Sequence, residues 1–99
     1  MPVGHVTRFS GGEPEQMVAF AKRAKAVWVK NGAETARLVR MHTGPWMGQW
    51  LFFVRCSDWA SYGKAQESIQ KDPEYQKVLS DTLAVAKMEA RNITLAYDI

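Results

Sequence analysis

The sequence predicts one α+β domain of β-α-β-β-α-β order, with an antiparallel four-stranded sheet and its helices on one face. Three observations lead there. Four short segments have strand composition, at residues 3–9, 35–42, 49–56 and from about Glu89 onward. One long apolar stripe of helical period separates the first two of them. A second helical region, broken at Asp72-Pro73, separates the last two.

Each element has a local cause. VGHVTRF (3–9) is short and β-branched enough for a strand. Gly11, Gly12 and Pro14 then form a turn and start a helix, with proline suited to the first turn because its missing N–H has no intrahelical partner there anyway. Met17, Phe20, Ala21, Ala24, Val27 and Trp28 follow at spacings of three and four, which is one face of an amphipathic helix. Asn31-Gly32 closes it, glycine accepting the left-handed conformation in which helices often end. TARLVRMH (35–42) is the second strand, and TGPWMG is a turn. QWLFFVRC (49–56) is almost wholly apolar, as a central strand should be. Ser57-Asp58 caps a helix carrying Trp59, Tyr62, Gln66 and Ile69, and Asp72 caps its restart, where Tyr75, Val78, Leu79 and Leu83 carry the stripe. EARNITLAYDI alternates as a last strand. This order is the ferredoxin-like split βαβ arrangement, and residues 1–99 form a single domain.

Composition sets limits on function. With 46% hydrophobic and 23% charged residues, the chain has the balance of a soluble globular protein. No apolar run approaches the ~20 residues of a membrane-spanning helix. MPVGHVTRF lacks the basic-then-apolar pattern of a signal peptide. The single Cys56 has no disulfide partner within the chain. A cytoplasmic location is the expectation. The net charge is +3, and the densest basic group (Lys22, Arg23, Lys25 and Lys30) belongs to one helix, where a solvated polar side is the simplest role.

Side chains alternate along a strand, so each strand divides into two sets. Val6, Val39, Met41, Leu51, Phe53, Ile93, Leu95 and Tyr97 are nearly all apolar and are expected beneath the helices. His5, Thr7, Phe9, Leu38, Arg40, His42, Trp50, Phe52, Val54, Asn92, Thr94 and Ala96 are expected on the open face. Large apolar groups on an uncovered face call for a partner or a ligand.

The run GQWLFFVRCSDWASYGKAQESIQKDPEYQKVL, with the order of elements, resembles the dimeric α+β barrel superfamily, which includes antibiotic-biosynthesis monooxygenase, NIPSNAP and EthD types. The features that carry the resemblance are the Ser57-Asp58 cap, Tyr62-Gly63-Lys64 and the Asp72-Pro73-Glu74-Tyr75-Gln76 restart, and they are structural rather than catalytic. The resemblance implies a homodimer stacked through the open sheet faces, with a cavity between sheet and helices or inside the barrel. It also implies, in some members, an oxygenase that works without a cofactor. The haem-degrading members place an iron-ligating histidine on the second helical region, whereas residues 58–84 contain none and the first strand offers His5 and Thr7 in place of their asparagine. No bound cofactor is expected.

The candidate chemistry gathers on the expected open face. His5 and His42 are candidate catalytic groups, either being a possible general base, with a hydrogen-bonded structural role as the alternative. Arg40 could hold a carboxylate or phosphate by its guanidinium fork, or reach across a dimer to an acid such as Asp98. Trp50, Phe52 and Asn92 complete the ligand-binding set. No metal site is expected, because neither histidine has carboxylate or thiolate help on its face. An RNA-recognition motif shares this fold order and stacks bases on third-strand aromatics. Met47-Gly48-Gln49-Trp50-Leu51 lacks the basic-Gly-aromatic-Gly opening of that motif, so nucleic acid is not the expected partner. The expected function is that of an oxygenase-like enzyme acting on a small hydrophobic or aromatic molecule. A non-catalytic ligand binder or assembly module is the alternative.

Overall fold

The computed structural model describes residues 1–99. Strand β1 (Val3–Gly11) leads into helix α1 (Pro14–Lys30), and strands β2 (Thr35–Arg40) and β3 (Trp50–Cys56) follow. Helices α2 (Trp59–Gln70) and α3 (Pro73–Leu83) precede strand β4 (Ala86–Leu95). The sheet order is β2-β3-β1-β4 with every pair antiparallel, which is the expected ferredoxin-like topology.

The helix ends form where the sequence places their caps. Gly11 and Gly12 both have positive φ, of 83° and 78°, and turn the chain out of β1. A Cβ at Gly12 would also lie 2.5 Å from the Met17 sulfur. Pro14 opens α1, and the Gln16 side chain accepts the Glu13 N–H at 3.3 Å. Asp58 accepts the Ser61 N–H at 2.7 Å, and Asp72 accepts the Glu74 N–H at 2.9 Å. Asp72 does more than cap α3. Its carboxylate also receives a hydrogen bond from the Asn31 amide (3.0 Å) and an ion pair from Lys30 (3.0 Å), so one buried acid ties the end of α1 to the α2–α3 break. Those partners, Asn31 first, hold its carboxyl down at about 2.

On β1, β2 and β3 the two faces are the reverse of the expectation, whereas on β4 Ile93 falls on the helix side and Asn92 and Thr94 on the open face, as expected. His5, Thr7, Phe9, Trp50, Phe52 and Val54 are buried. Of these, Phe9, Trp50, Phe52 and Val54 share one core with Met17, Val27 and Trp28 of α1, Ala65 and Ile69 of α2, and Tyr75 of α3. Val6, Val39, Leu51 and Phe53 fall on the other face. The register fixes this, since Val6 stands opposite Phe53, and Val39 opposite Leu51. The physical reason lies in side-chain size. Aromatic side chains bury roughly 150–250 Å² each, so turning Phe9, Trp50 and Phe52 toward the helices removes more apolar area from water than turning the smaller set would. Trp50 loses no hydrogen bond there, because its indole N–H donates to the Gly11 carbonyl at 3.1 Å.

The fourth strand begins at Ala86 rather than near Glu89, and it carries a bulge. Arg8 stands opposite Ala90 while Phe9 stands opposite Met88, which leaves Glu89 as the extra residue. The bulge changes the phase of alternation along β4. Met88 and Arg91, three apart, therefore both turn to the helix side, opposite Phe9 and Thr7. Asn92 and Thr94 stand opposite Val6 and Gly4, on the face away from His5.

Candidate functional site

The helices do not seal onto the sheet everywhere. Between α1, α3 and the strands lies a cavity of about 60 Å³, with 13 of its 17 lining residues hydrophobic. At ~15 Å³ per water that is room for about four waters. Phe20, Ala21, Ala24 and Trp28 wall it from α1, and Tyr75, Val78, Leu79 and Thr82 from α3. The sheet supplies His5, Thr7, Phe9, Leu38, Phe52, Val54, Met88 and Arg91.

His5 is the unusual member. It is 5% exposed, and its ring meets the rings of Trp28 and Tyr62 edge-on at centroid distances of 5.4 and 5.9 Å. Its Nδ1 is buried with no hydrogen-bond partner on the chain. Burial first, and the nearby positive charge of Arg91 second, bring its pKa down to about 4. The imidazole is therefore neutral at pH 7, with one nitrogen able to donate and one able to accept. A buried polar atom left unpaired costs about 1–3 kcal/mol, which a ligand group bonded to it would recover.

Arg91 lies diagonally across from His5, opposite Thr7, and donates to the Tyr75 hydroxyl at 3.3 Å. No carboxylate pairs with it. The cavity thus has apolar walls, one neutral imidazole and one cation at its β4 side. Burial raises the pKa of the Tyr62 hydroxyl, whose ring meets His5, and of the Cys56 thiol in the core, so both stay protonated at neutral pH. No group of three or more His, Cys, Asp or Glu side chains is placed to hold a metal ion.

Of the residues expected at a site, the structure brings His5 and Phe52 together on the cavity wall. Trp50 is in the adjoining core rather than at the cavity. Arg40 is exposed, with its guanidinium 4.8 Å from the centre of the Trp50 ring and its Nε donating to the Gly48 carbonyl at 3.3 Å, so it covers Trp50 from outside. His42 lies beyond the end of β2 and is exposed. Asn92 is exposed on the opposite face. The pocket therefore belongs to the helix side and not to the open face. Sequence patterning did not mark Arg91, Tyr75 and Thr82 as site residues. Tyr75 and Trp28 stood on apolar stripes that any core would produce, and the β4 bulge that aims Arg91 inward leaves no sequence signal.

Solved structures share this architecture. SnoaB from Streptomyces nogalater, a cofactor-independent oxygenase, superposes with a TM-score of 0.75 at 17% identity, over 99% of this chain and 95% of that one. A NIPSNAP domain protein from Burkholderia xenovorans gives 0.70 at 16%, over 98% and 95%. Rv0793 from Mycobacterium tuberculosis gives 0.60 at 15%, over 100% and 98%. No family model matches the chain, and no curated protein sequence does. The chain shares the ferredoxin-like α+β fold of these structures, the fold that the resemblance implied.

Proposed function

We propose that this protein is an oxygenase that needs no cofactor of its own and acts on a small hydrophobic or aromatic molecule held between helices and sheet. The observation that carries this reading is the unpartnered, neutral His5 imidazole within an otherwise apolar cavity. The activity named for SnoaB supports the reaction class. A hydroxyarene fits the site chemically. Its hydroxyl would bond to His5, and Arg91 would favour the oxyanion, the form that gives up electrons to dioxygen most readily. The balanced reaction takes four electrons from the ring. One oxygen atom becomes a ring carbonyl, the other leaves as water, and the existing hydroxyl becomes the second carbonyl of a quinone. With a pKa of about 4, His5 is a weak base, so it orients the hydroxyl and takes its proton only as Arg91 stabilises the oxyanion left behind.

The homodimer belongs to the same proposal. Val39, Leu51 and Phe53 form a half-buried apolar strip around Val6, and no element of this chain covers that face. No helix is long and apolar enough to cross a membrane.

The test is incubation with single-ring hydroxyarenes under isotopically labelled dioxygen, followed by mass spectrometry. Incorporation of one labelled atom, lost in His5→Phe, supports the reading. Binding without any oxygen consumption would favour the second reading, a non-catalytic binder, to which the weak basicity of His5 lends some weight.

A further inference from the structure

A second concavity adjoins the cavity. Between α1 and the edge strand β2 runs a groove of about 290 Å³, with Trp50 and Phe52 in its floor and Lys22 and Lys25 on its α1 side, while Arg37, opposite Phe53, borders it from the β2 edge. The helix's other two cations are neutralised on its far side, Arg23 by Asp81 at 2.9 Å and Lys30 by Asp72 at 3.0 Å. Lys22, Lys25 and Arg37 have no acidic partner, and no carboxylate lines the groove. Lys22 and Lys25 are three apart on one helix, so they are neighbours whose like charges repel. A bound anion would relieve that repulsion.

The groove also shares a wall with the cavity. Ala21, Leu38 and Phe52 line both. Ala21 presents only a methyl group from α1, and Leu38 is half-buried on a strand with no outer neighbour. Ala21 and Leu38 therefore stand between the two spaces.

We propose that this groove is the entrance to the cavity and an anion subsite, and that the ligand is an amphipathic acid. Its ring passes Ala21 and Leu38 toward His5, and its carboxylate, sulfonate or phosphate stays at the mouth with Lys22, Lys25 and Arg37. This rests on the cavity being the ligand site, and it adds the charge of the ligand and its route.

A matched probe pair tests it, 3-phenylpropionate against the neutral 3-phenylpropan-1-ol, titrated by tryptophan fluorescence with stopped-flow association rates. At about 0.02 M ionic strength the native protein should bind the acid about tenfold more tightly than the alcohol, and about 0.5 M salt should erase the difference. In K22Q/K25Q/R37Q the two probes should bind equally, with alcohol affinity unchanged. Leu38→Trp should slow association of both. If the native protein binds both probes equally, the anion subsite falls and the cavity reading stands. A preference that survives the triple substitution would assign it to Arg91 and likewise overturn the subsite. Association rates unaffected by Leu38→Trp would overturn the route. If neither probe binds, both the subsite and the cavity reading fail.

Discussion

The buried His5 should make folding stability depend on pH in a window that one substitution can isolate. In the unfolded chain its imidazole titrates near 6.5, and in the folded chain near 4. Between those values the unfolded state binds the proton and the native state does not, so stability rises with pH. The contribution is complete above about 6.5 and is lost as pH falls through about 4. The shift of about 2.5 pH units, at 1.36 kcal/mol per unit, corresponds to about 3 kcal/mol. That is a large share of the 5–15 kcal/mol typical of a domain. Urea unfolding of the native chain and of His5→Phe, followed by tryptophan fluorescence from about pH 4 to about pH 7.5, reads it directly. Phenylalanine keeps a ring against Trp28 and Tyr62 and removes the titrating group, while His42 is common to both proteins. The stability gap between variant and native protein should move in favour of the variant by about 3 kcal/mol as pH falls across the window. Parallel pH curves would refute the burial of a neutral His5.

Other consequences are as direct. Ile69 is fully buried in the core away from the cavity, so Ile69→Ala should cost about 2–5 kcal/mol by denaturant unfolding and leave the cavity chemistry of any surviving folded protein intact. Asp72→Asn should lower the melting temperature by several degrees at pH 7, because it loses the Lys30 ion pair and weakens the link to Asn31. The gap from native protein should close as pH falls from the ordinary aspartate value of 3.8 toward about 2, where the native carboxylate is itself protonated. Leu51→Glu on the open face should turn the proposed dimer into a folded monomer by sedimentation velocity; a native chain that is already monomeric at micromolar concentration would remove the dimer.

The order of elements was legible because its causes are local. Pro14, Gly32, Asp58 and the Asp72-Pro73 break set helix ends through backbone chemistry that neighbours do not alter. The choice of face was not legible in the same way. Alternation separates two sets of residues, but it names the inner set only when the other set is polar. Here Val6, Leu51 and Phe53 face one way and Phe9, Trp50 and Phe52 the other, so both sets are apolar. The set with the larger aromatics goes inside, and its polar members His5 and Thr7 are accommodated there because they border a cavity. Trp50, which suggested a binding surface, belongs to the hydrophobic core, and Phe52 belongs both to that core and to the cavity wall. Arg91 illustrates a different limit. A one-residue bulge at Glu89 reverses the phase of β4, and only pairing with β1 reveals it.

The central claim is that ligand binds on the helix side of the sheet, against His5. Side-chain nitrogen NMR of His5, recorded while a single-ring hydroxyarene such as resorcinol is titrated in, tests it most directly. Movement of the His5 resonances, together with the Trp28 indole and with Asn92 unmoved, is the predicted result. Saturable binding that shifts Asn92 and the Phe53 backbone while leaving His5 unchanged would contradict it.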